Sequence, residues 1–506
     1  MPPLGRVKLG RDSQLIDLDL DRSGALPLNE QLYKGIKGLI LAGVLRSGAR
    51  LPASRILARE LEISRNTVLA AYDQLLAEGF TEARPGAGTR VSADLPDLEG
   101  EVRTARPLLG PSTGAPPLPD RVLDLMSRRA PGAHRPFLPG VPDVSAFPFD
   151  EWGRAVGRFW RRPPQALLED RDGRGHGPLR RAIADYLVAV RGCRCSADQV
   201  IITSGAQQGI DLCARVLLEP GASVVMEDPG YRGLLSAFHT AGAVVTAAPV
   251  DGEGLDVGYA RAQAARPRIV AVTPSHQLPL GVTMSLGRRL DLLRWAREAR
   301  FWVLEDDYDS EYRYRGRPLA AMQGLDGGER VIYAGTFSKV MFPALRLGYL
   351  VVPEQLIDPF IRMRGVVDDF PPLAMQPVLA DFMESGRFGA HVRRMRQLYG
   401  DRQTVLRDEL VGRFQGVLDI PEDDAGMHLT VGIPADADDV AMTREAAALN
   451  ITAQALSGYY QGPDARHGLV LGYAAYPADA LKAAAVLLEQ AVGRALSGGQ
   501  EMRTLT

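Results

Sequence analysis

From about residue 121 onward, short apolar runs alternate with helical stretches, and this alternation restricts the fold more than any other feature. Strand-like runs stand near Val200–Thr203, Ser223–Met226, Arg268–Val272, Phe301–Glu305 and Val331–Ala334. Strands of that length with helices between them predict a mostly parallel sheet covered by helices, an α/β fold. At 506 residues the chain is too long for one ordinary domain. A hydrophobic content of 46% with 24% charged residues excludes a disordered chain. The net charge of −2 means that any nucleic-acid surface must be local.

The first 20 residues mix Arg6, Lys8, Arg11, Asp12 and Asp17 with short apolar pieces, which is not the pattern of a signal peptide. No run of 18 apolar residues is present to span a membrane. The expected location is therefore the cytoplasm. Cys193, Cys195 and Cys213 are an odd set, and nothing near Cys193-x-Cys195 completes a metal site, so no metal is expected.

Three regions differ in texture. Residues 24–92 hold three short helical patterns and end in a Gly-rich turn. Residues 93–120, rich in Pro and Gly, have the composition of an extended linker. Residues 121–495 carry the strand–helix alternation.

In the first region, Leu32, Ile36, Leu39 and Ile40 form the apolar stripe of a helix that stops near Gly43. A second helix is expected after Pro52, with Ser54 as N-cap and Ile56, Leu57 and Leu61 inward. A short turn leads to a third helix, capped by Ser64, with Val68, Ala71, Tyr72 and Leu75 inward. Helix, turn, helix is the geometry that sets a second helix into the DNA major groove. The third helix opens with Arg65, Asn66 and Thr67, side chains able to read base edges or grip phosphate. "TEARPGAGTRVS" then predicts a hairpin wing carrying Arg84 and Arg90. Nine Lys/Arg against six Asp/Glu is too small an excess to decide between DNA binding and a solvated helical packing domain.

In the last region, Lys339 sits in "YAGTFSKVMFPALRLGY", beside Thr336 and Ser338, with Arg346 seven positions on. A nucleophilic lysine near a phosphate site needs such neighbours: hydroxyls, and a guanidinium fork for two phosphate oxygens. "FWVLEDDYDSEYRY" is an apolar strand running into acids. It puts Asp306 near the strand's carboxyl end and Tyr308 just beyond, where ligands collect in parallel sheets. "VIITSGAQQG" reads as strand, turn and helix, offering backbone donors from Ser204, Gly205, Ala206 and Gln207 to an anion. Tyr231 in "EDPGY" follows another strand and offers an aromatic face. An amine, a carboxylate, a phenol and an anion cradle are the groups that pyridoxal 5'-phosphate requires.

Two resemblances follow from these motifs. "LPASRILARELEISRNTVLAAYDQLLAEGF" with the "PGAGTRV" wing resembles the GntR-type winged helix. That likeness implies DNA contacts by Arg55, Ser64, Arg65, Thr67 and the wing from Gly86 through Gly88 to Thr89, with Asn66 and Arg84 beside them. "TSGAQQ", "EDPGY", "TPSHQLPLG", "EDDYDSEYRY" and "GTFSK…LRLGY" resemble the fold-type I aminotransferases. This likeness implies a mostly parallel sheet with flanking helices and a smaller C-terminal α+β subdomain. It implies Lys339 as the Schiff-base lysine, Asp306 as partner of the pyridinium nitrogen and Tyr308 as donor to the ring oxygen. Tyr231 would stack, and Gly205, Ala206, Gln207, Ser338 and Arg346 would hold phosphate.

The two modules together resemble the MocR/GabR group of bacterial regulators, which implies a homodimer that binds an operator and senses an amine, an amino acid or the cofactor itself. Two positions depart from the aminotransferase pattern. Leu278 stands where an Asn is usual, and His276 or Gln277 could take part instead or be plain loop residues. Val470 stands where many aminotransferases clamp a carboxylate with arginine, which leaves room for sensing the cofactor itself, or an amine or acid held by Arg466, Arg232 or a residue of the partner subunit. A working aminotransferase with an accessory DNA-binding module is the alternative reading, and Val470 counts against efficient turnover.

Overall fold

The computed structural model describes residues 6–7, 16–17, 20–22, 26–84, 88–93, 135–264, 266–316, 319–435, 437–462 and 465–504. The chain divides into two compact units, Met1–Pro117 and Leu118–Thr506. Beyond Ala93, the expected linker lies outside the described residues.

In the first unit, strands β1 (Arg6–Val7) and β2 (Ile16–Asp17) pair, and helices α1 (Leu28–Leu41), α2 (Ser54–Glu60) and α3 (Arg65–Ala77) follow. Leu32, Ile36, Leu57, Val68, Ala71, Tyr72 and Leu75 form one buried cluster, as their helical spacing predicts. Ser64 caps α3 by accepting from the Thr67 backbone N–H at 3.1 Å. Two expectations for α2 need correction. Ser54 is its first helical residue rather than its cap, which is Ala53 without a side-chain bond, and Ile56 is exposed. A helix of only seven residues has room for a narrow buried stripe, which Leu57 and Ala58 fill. The wing is the antiparallel pair β3 (Thr81–Arg84) and β4 (Gly88–Val91), with Thr81 opposite Val91 and Arg84 opposite Gly88.

The second unit is built on an eight-stranded sheet. Its strands are β5 (Val200–Thr203), β6 (Ser223–Asp228), β7 (Val244–Asp251), β8 (Gly254–Leu255), β9 (Ile269–Val272), β10 (Trp302–Asp307), β11 (Val331–Thr336) and β12 (Gly348–Val351). The spatial order is β5-β12-β11-β10-β9-β6-β7-β8, with β12 antiparallel to both neighbours, β8 antiparallel to β7 and the other pairings parallel. Helices cover both faces, so the central strands are apolar on both sides. Val270, Val272 and Val303 belong to one core cluster, while their neighbours Ile269, Ala271 and Leu304 belong to another. Helices that matter for the site are α4 (Gly177–Arg191), α5 (Ala206–Leu217) and α6 (Arg232–Thr240).

A C-terminal subdomain follows. Strands β13 (His428–Gly432), β14 (Gln454–Ala455) and β15 (Gly468–Gly472) form an antiparallel sheet in the order β13-β15-β14. Leu429, Val431, Leu469 and Leu471 pack there against Leu406 and Leu488 of the long helices Arg387–Arg413 and Ala478–Thr504. No helix among the described residues is long and apolar enough to cross a membrane.

Candidate functional site

The loops after β6, β9, β10 and β11 converge with the start of α5 and with the subdomain around a cavity of 660 Å³. Ala206, Gln207, Tyr231, Arg232, Asp306, Tyr308, Thr336, Ser338, Lys339 and Arg346 all line it. Residues spread over 140 positions of sequence are thus gathered at the carboxyl ends of parallel strands, where backbone topology opens a crevice.

Strand pleating decides which acid of "EDDYD" faces the cavity, because neighbouring side chains point to opposite faces. Glu305 accepts from the backbone N–H groups of Met322 and Gln323 at 2.9 and 3.0 Å. Asp307 is held by Arg191 of α4 at 2.8 Å and by the Tyr333 hydroxyl at 2.5 Å. Asp306, between them, is buried and its Oδ1 has no hydrogen-bond partner. Burial first, then the charges of Asp307, Glu227 and Asp309, push its carboxyl up to about 7, against the pull of Lys339. A cationic ring nitrogen would relieve that cost.

Lys339 donates to the Gly140 carbonyl at 2.5 Å. Gly140 has φ +69°, and a Cβ there would stand 2.8 Å from the lysine Nζ, so glycine makes room for the amine. The Ser338 Oγ is buried without a hydrogen-bond partner, and the Ser338 N–H donates to Thr336 Oγ1 at 3.1 Å. At the N-terminus of α5, Gly205 has φ +87°, and Arg346 donates to the Ser204 carbonyl at 2.6 Å. Two orphaned polar atoms, an amine and a helix N-terminus beside a guanidinium are groups that could hold pyridoxal 5'-phosphate: Asp306 could face its ring nitrogen, and Ser338 and Arg346 its phosphate.

Around that centre, the Tyr231 hydroxyl donates to Gln207 Oε1 at 3.0 Å, and Gln207 Nε2 donates to the Gly233 carbonyl at 2.8 Å. The Tyr308 hydroxyl lies 3.0 Å from His276 Nδ1. His276 is buried, with Nδ1 3.1 Å from Asp309 and Nε2 3.1 Å from Asp423. Burial alone would lower its pKa, but the two carboxylates lift it to about 10.

His276, Gln277 and Arg466 do not line the cavity. Gln277 is buried and spends its amide on Glu227, Pro229 and Leu278, while Arg466 is exposed beside Tyr460. Arg232 does line it and bonds the Gly458 carbonyl. Val470 is fully buried within β15, opposite Thr430 and Gln454. The sequence reading missed His428, Thr443, Gln454 and Tyr459, which the subdomain brings to the wall. No local pattern marks them, since they reach the site only through tertiary packing. Cys193 and Cys213 are buried and Cys195 half-buried; burial pushes the Cys195 thiol up to about 11.

In the first unit, Ser64, Arg65 and Asn66 are exposed and Thr67 half-buried at the start of α3. Arg65 Nε lies 3.4 Å from Ser54 Oγ, so the starts of α2, with exposed Arg55, and α3 stand together. Gly88 and Thr89 open β4, Arg84 ends β3, and Gly86 lies outside the described residues.

Known proteins agree with both halves. Residues 28–91 match the family described as bacterial regulatory proteins, gntR family, and residues 148–461 match aminotransferase class I and II. The chain is 41% identical over 90% of its length to the probable rhizopine catabolism regulatory protein MocR of Rhizobium meliloti, covering 92% of that protein. It is 32% identical to the pyridoxine biosynthesis transcriptional regulator PdxR of Corynebacterium glutamicum, over 89% of this chain and 93% of that one. Its fold is similar to LysN, the α-aminoadipate aminotransferase of Thermus thermophilus, in complex with N-(5'-phosphopyridoxyl)-L-leucine. The TM-score is 0.66 at 25% identity, over 71% of this chain and 92% of that one. A winged helix of the gntR family on a pyridoxal phosphate-binding aminotransferase fold, shared along most of the chain with these regulators, makes the protein a member of the MocR family of pyridoxal phosphate-dependent transcriptional regulators.

Proposed function

We propose that the regulator senses an amine at pyridoxal 5'-phosphate carried on Lys339, and that occupancy of this cavity changes the affinity of the winged helix for its operator. The observation that carries the reading is the buried, unpartnered Oδ1 of Asp306, in one cavity with Lys339. Bound there, the cofactor supplies an aldehyde carbon that primary amines add to and a ring that withdraws electrons. Asp306 would hold the ring nitrogen in its charged form, and Tyr308 would donate to the ring oxygen. Tyr231 would offer its aromatic face to the ring. Gly205, Ala206, Gln207, Thr336, Ser338 and Arg346 bind the phosphate, and the Ser204 carbonyl orients Arg346.

The buried Val470 offers no charge to an effector carboxylate, which favours an amine or the cofactor itself over an α-amino acid held by a clamp. Arg232 lines the same cavity and is the cation offered to an acidic effector. Arg55, Ser64, Arg65, Asn66, Thr67, Arg84 and the wing residues Gly86, Gly88 and Thr89 contact DNA. The protein acts in the cytoplasm as a homodimer on repeated or palindromic half-sites, with residues 93–120 as the linker.

Absorbance of the purified chain with added pyridoxal 5'-phosphate tests the reading. A bound-cofactor band should appear and be lost in Lys339→Ala, and amines that change the band should change operator affinity. A wild-type chain that shows no band would sink the proposal.

A further inference from the structure

His276 is buried between two halves of the second unit, and both of its ring nitrogens face acids. Nδ1 lies 3.1 Å from Asp309 Oδ2, just past β10, and Nε2 lies 3.1 Å from Asp423 Oδ2, in the segment that leads to β13. An ionised carboxylate only accepts hydrogen bonds, so facing one at each nitrogen favours the ring with a hydrogen on both. Burial pushes the Asp309 carboxyl up, and the charge and hydrogen bond of His276 pull it down. The Asp423 segment is itself pinned: the Gly426 N–H donates to the Tyr312 carbonyl at 2.8 Å, and the Tyr314 N–H to the Asp424 carbonyl at 2.7 Å.

Space for the ring is made by glycine on two sides. A Cβ on Gly426, where φ is +88°, would stand 2.0 Å from His276 Cε1. A Cβ on Gly281, at φ +75°, would stand 3.2 Å from Nε2 and 2.7 Å from Asp423 Oδ2. A further ionisable neighbour is His428 of β13, whose ring centroid lies 5.2 Å away. Burial and the charge of His276 push His428 down to about 4, so it stays neutral.

The Tyr308 oxygen shares Nδ1, at 3.0 Å. Were Nδ1 a bare acceptor, the Tyr308 proton would be spent on it. Because Nδ1 carries a hydrogen, the Tyr308 oxygen accepts, and its own proton remains for a partner in the cavity that it lines. We propose that His276 is a positioning residue for Tyr308: clamped as a donor by Asp309 and Asp423, it donates to the Tyr308 oxygen and so keeps the Tyr308 proton available to the ring oxygen of the bound cofactor. The proposal rests on the reading of this cavity as the pyridoxal phosphate site.

The test is the pH midpoint of the bound-cofactor absorbance in the full-length chain loaded with pyridoxal 5'-phosphate. A hydrogen bond donated to the ring oxygen favours the chromophore's deprotonated form, so losing it raises the midpoint. Tyr308→Phe should raise it by about one pH unit, about tenfold in proton affinity. His276→Gln should raise it comparably, and Tyr308→Phe combined with His276→Gln should add nothing further, as for two residues acting through one bond. Asp309→Asn leaves Asp423 to hold Nε2–H and frees Nδ1 to accept, so it should shift the midpoint the same way. It also decides the matter if His276→Gln fails to fold. Midpoints at the wild-type value in both His276→Gln and Asp309→Asn, with Tyr308→Phe still shifted, would overturn the positioning role and leave the cofactor site intact. A band that forms equally well in Lys339→Ala would overturn both.

Discussion

The Arg346 guanidinium donates to the Ser204 carbonyl at 2.6 Å, tying the entry to β12 to the start of α5 from 142 residues away. A Cβ on Gly205 would stand 3.2 Å from Arg346 Nη1, so the guanidinium closes directly over the glycine turn. Arg346→Ala should therefore weaken pyridoxal phosphate retention by at least about tenfold, the scale of a charge-assisted bond to phosphate. Gly205→Ala should weaken it less, and cost about 1 kcal/mol of stability through its positive φ. Equilibrium dialysis followed by cofactor absorbance measures both, and unchanged retention in Arg346→Ala would remove the residue from the phosphate cradle.

With the cofactor's ring nitrogen facing it as proposed, Asp306 would link cofactor binding to pH. Its folded pKa, about 7, stands above the unfolded value near 3.9, so it contributes stability below that value and loses it as pH rises through about 7. Glu227, which burial raises to about 7, acts in the same direction. In the cofactor-free protein these two groups should thus contribute a loss of stability, on the order of a few kcal/mol, between about pH 4 and pH 7. Asp306→Asn should flatten part of that slope, and so should cofactor binding, because a charged ring nitrogen favours the carboxylate. Urea unfolding followed at several pH values, with and without cofactor, reads this out.

Ser64 and Arg65 have separable roles. Ser64→Ala removes the α3 cap and should cost about 1 kcal/mol of stability in the DNA-binding unit. Arg65→Ala should leave stability near wild type but weaken operator binding. If Arg65 grips phosphate, the slope of log affinity against log salt falls by about one; if it reads a base, sequence preference relaxes instead. Binding that keeps both its strength and its selectivity would take Arg65 out of the interface.

Val470 predicts effector chemistry. In matched pairs of an α-amino acid and the amine lacking its carboxylate, the carboxylate should bring no gain in the concentration that changes the cofactor band. Where an arginine clamps a carboxylate, the gain should be about tenfold or more. A consistent preference for the α-amino acids would mean that Arg232 or another cation performs the clamp.

The sequence by itself determined the local elements and picked out most of the polar groups that the structure gathers around one cavity. Apolar spacing located α1 and α3, Ser64 marked its cap, and strand-length runs located five strands of the large sheet with Asp306 near the end of β10. These features are encoded by neighbours a few residues apart, where 3.6-residue and two-residue periods and capping chemistry act. Tertiary structure decided which group of a local set does what. Asp306 faces the cavity because Arg191, Tyr333 and two backbone amides from other elements engage Asp307 and Glu305. Lys339 meets a carbonyl 199 residues earlier, and His276 meets an aspartate 147 residues later. Ile56 showed the converse, since an apolar residue on a short helix has no buried face to claim once Leu57 and Ala58 occupy it. Long-range pairings of this kind leave no periodic trace in the chain, because each partner is set by how sheet and helices pack and not by its neighbours in sequence.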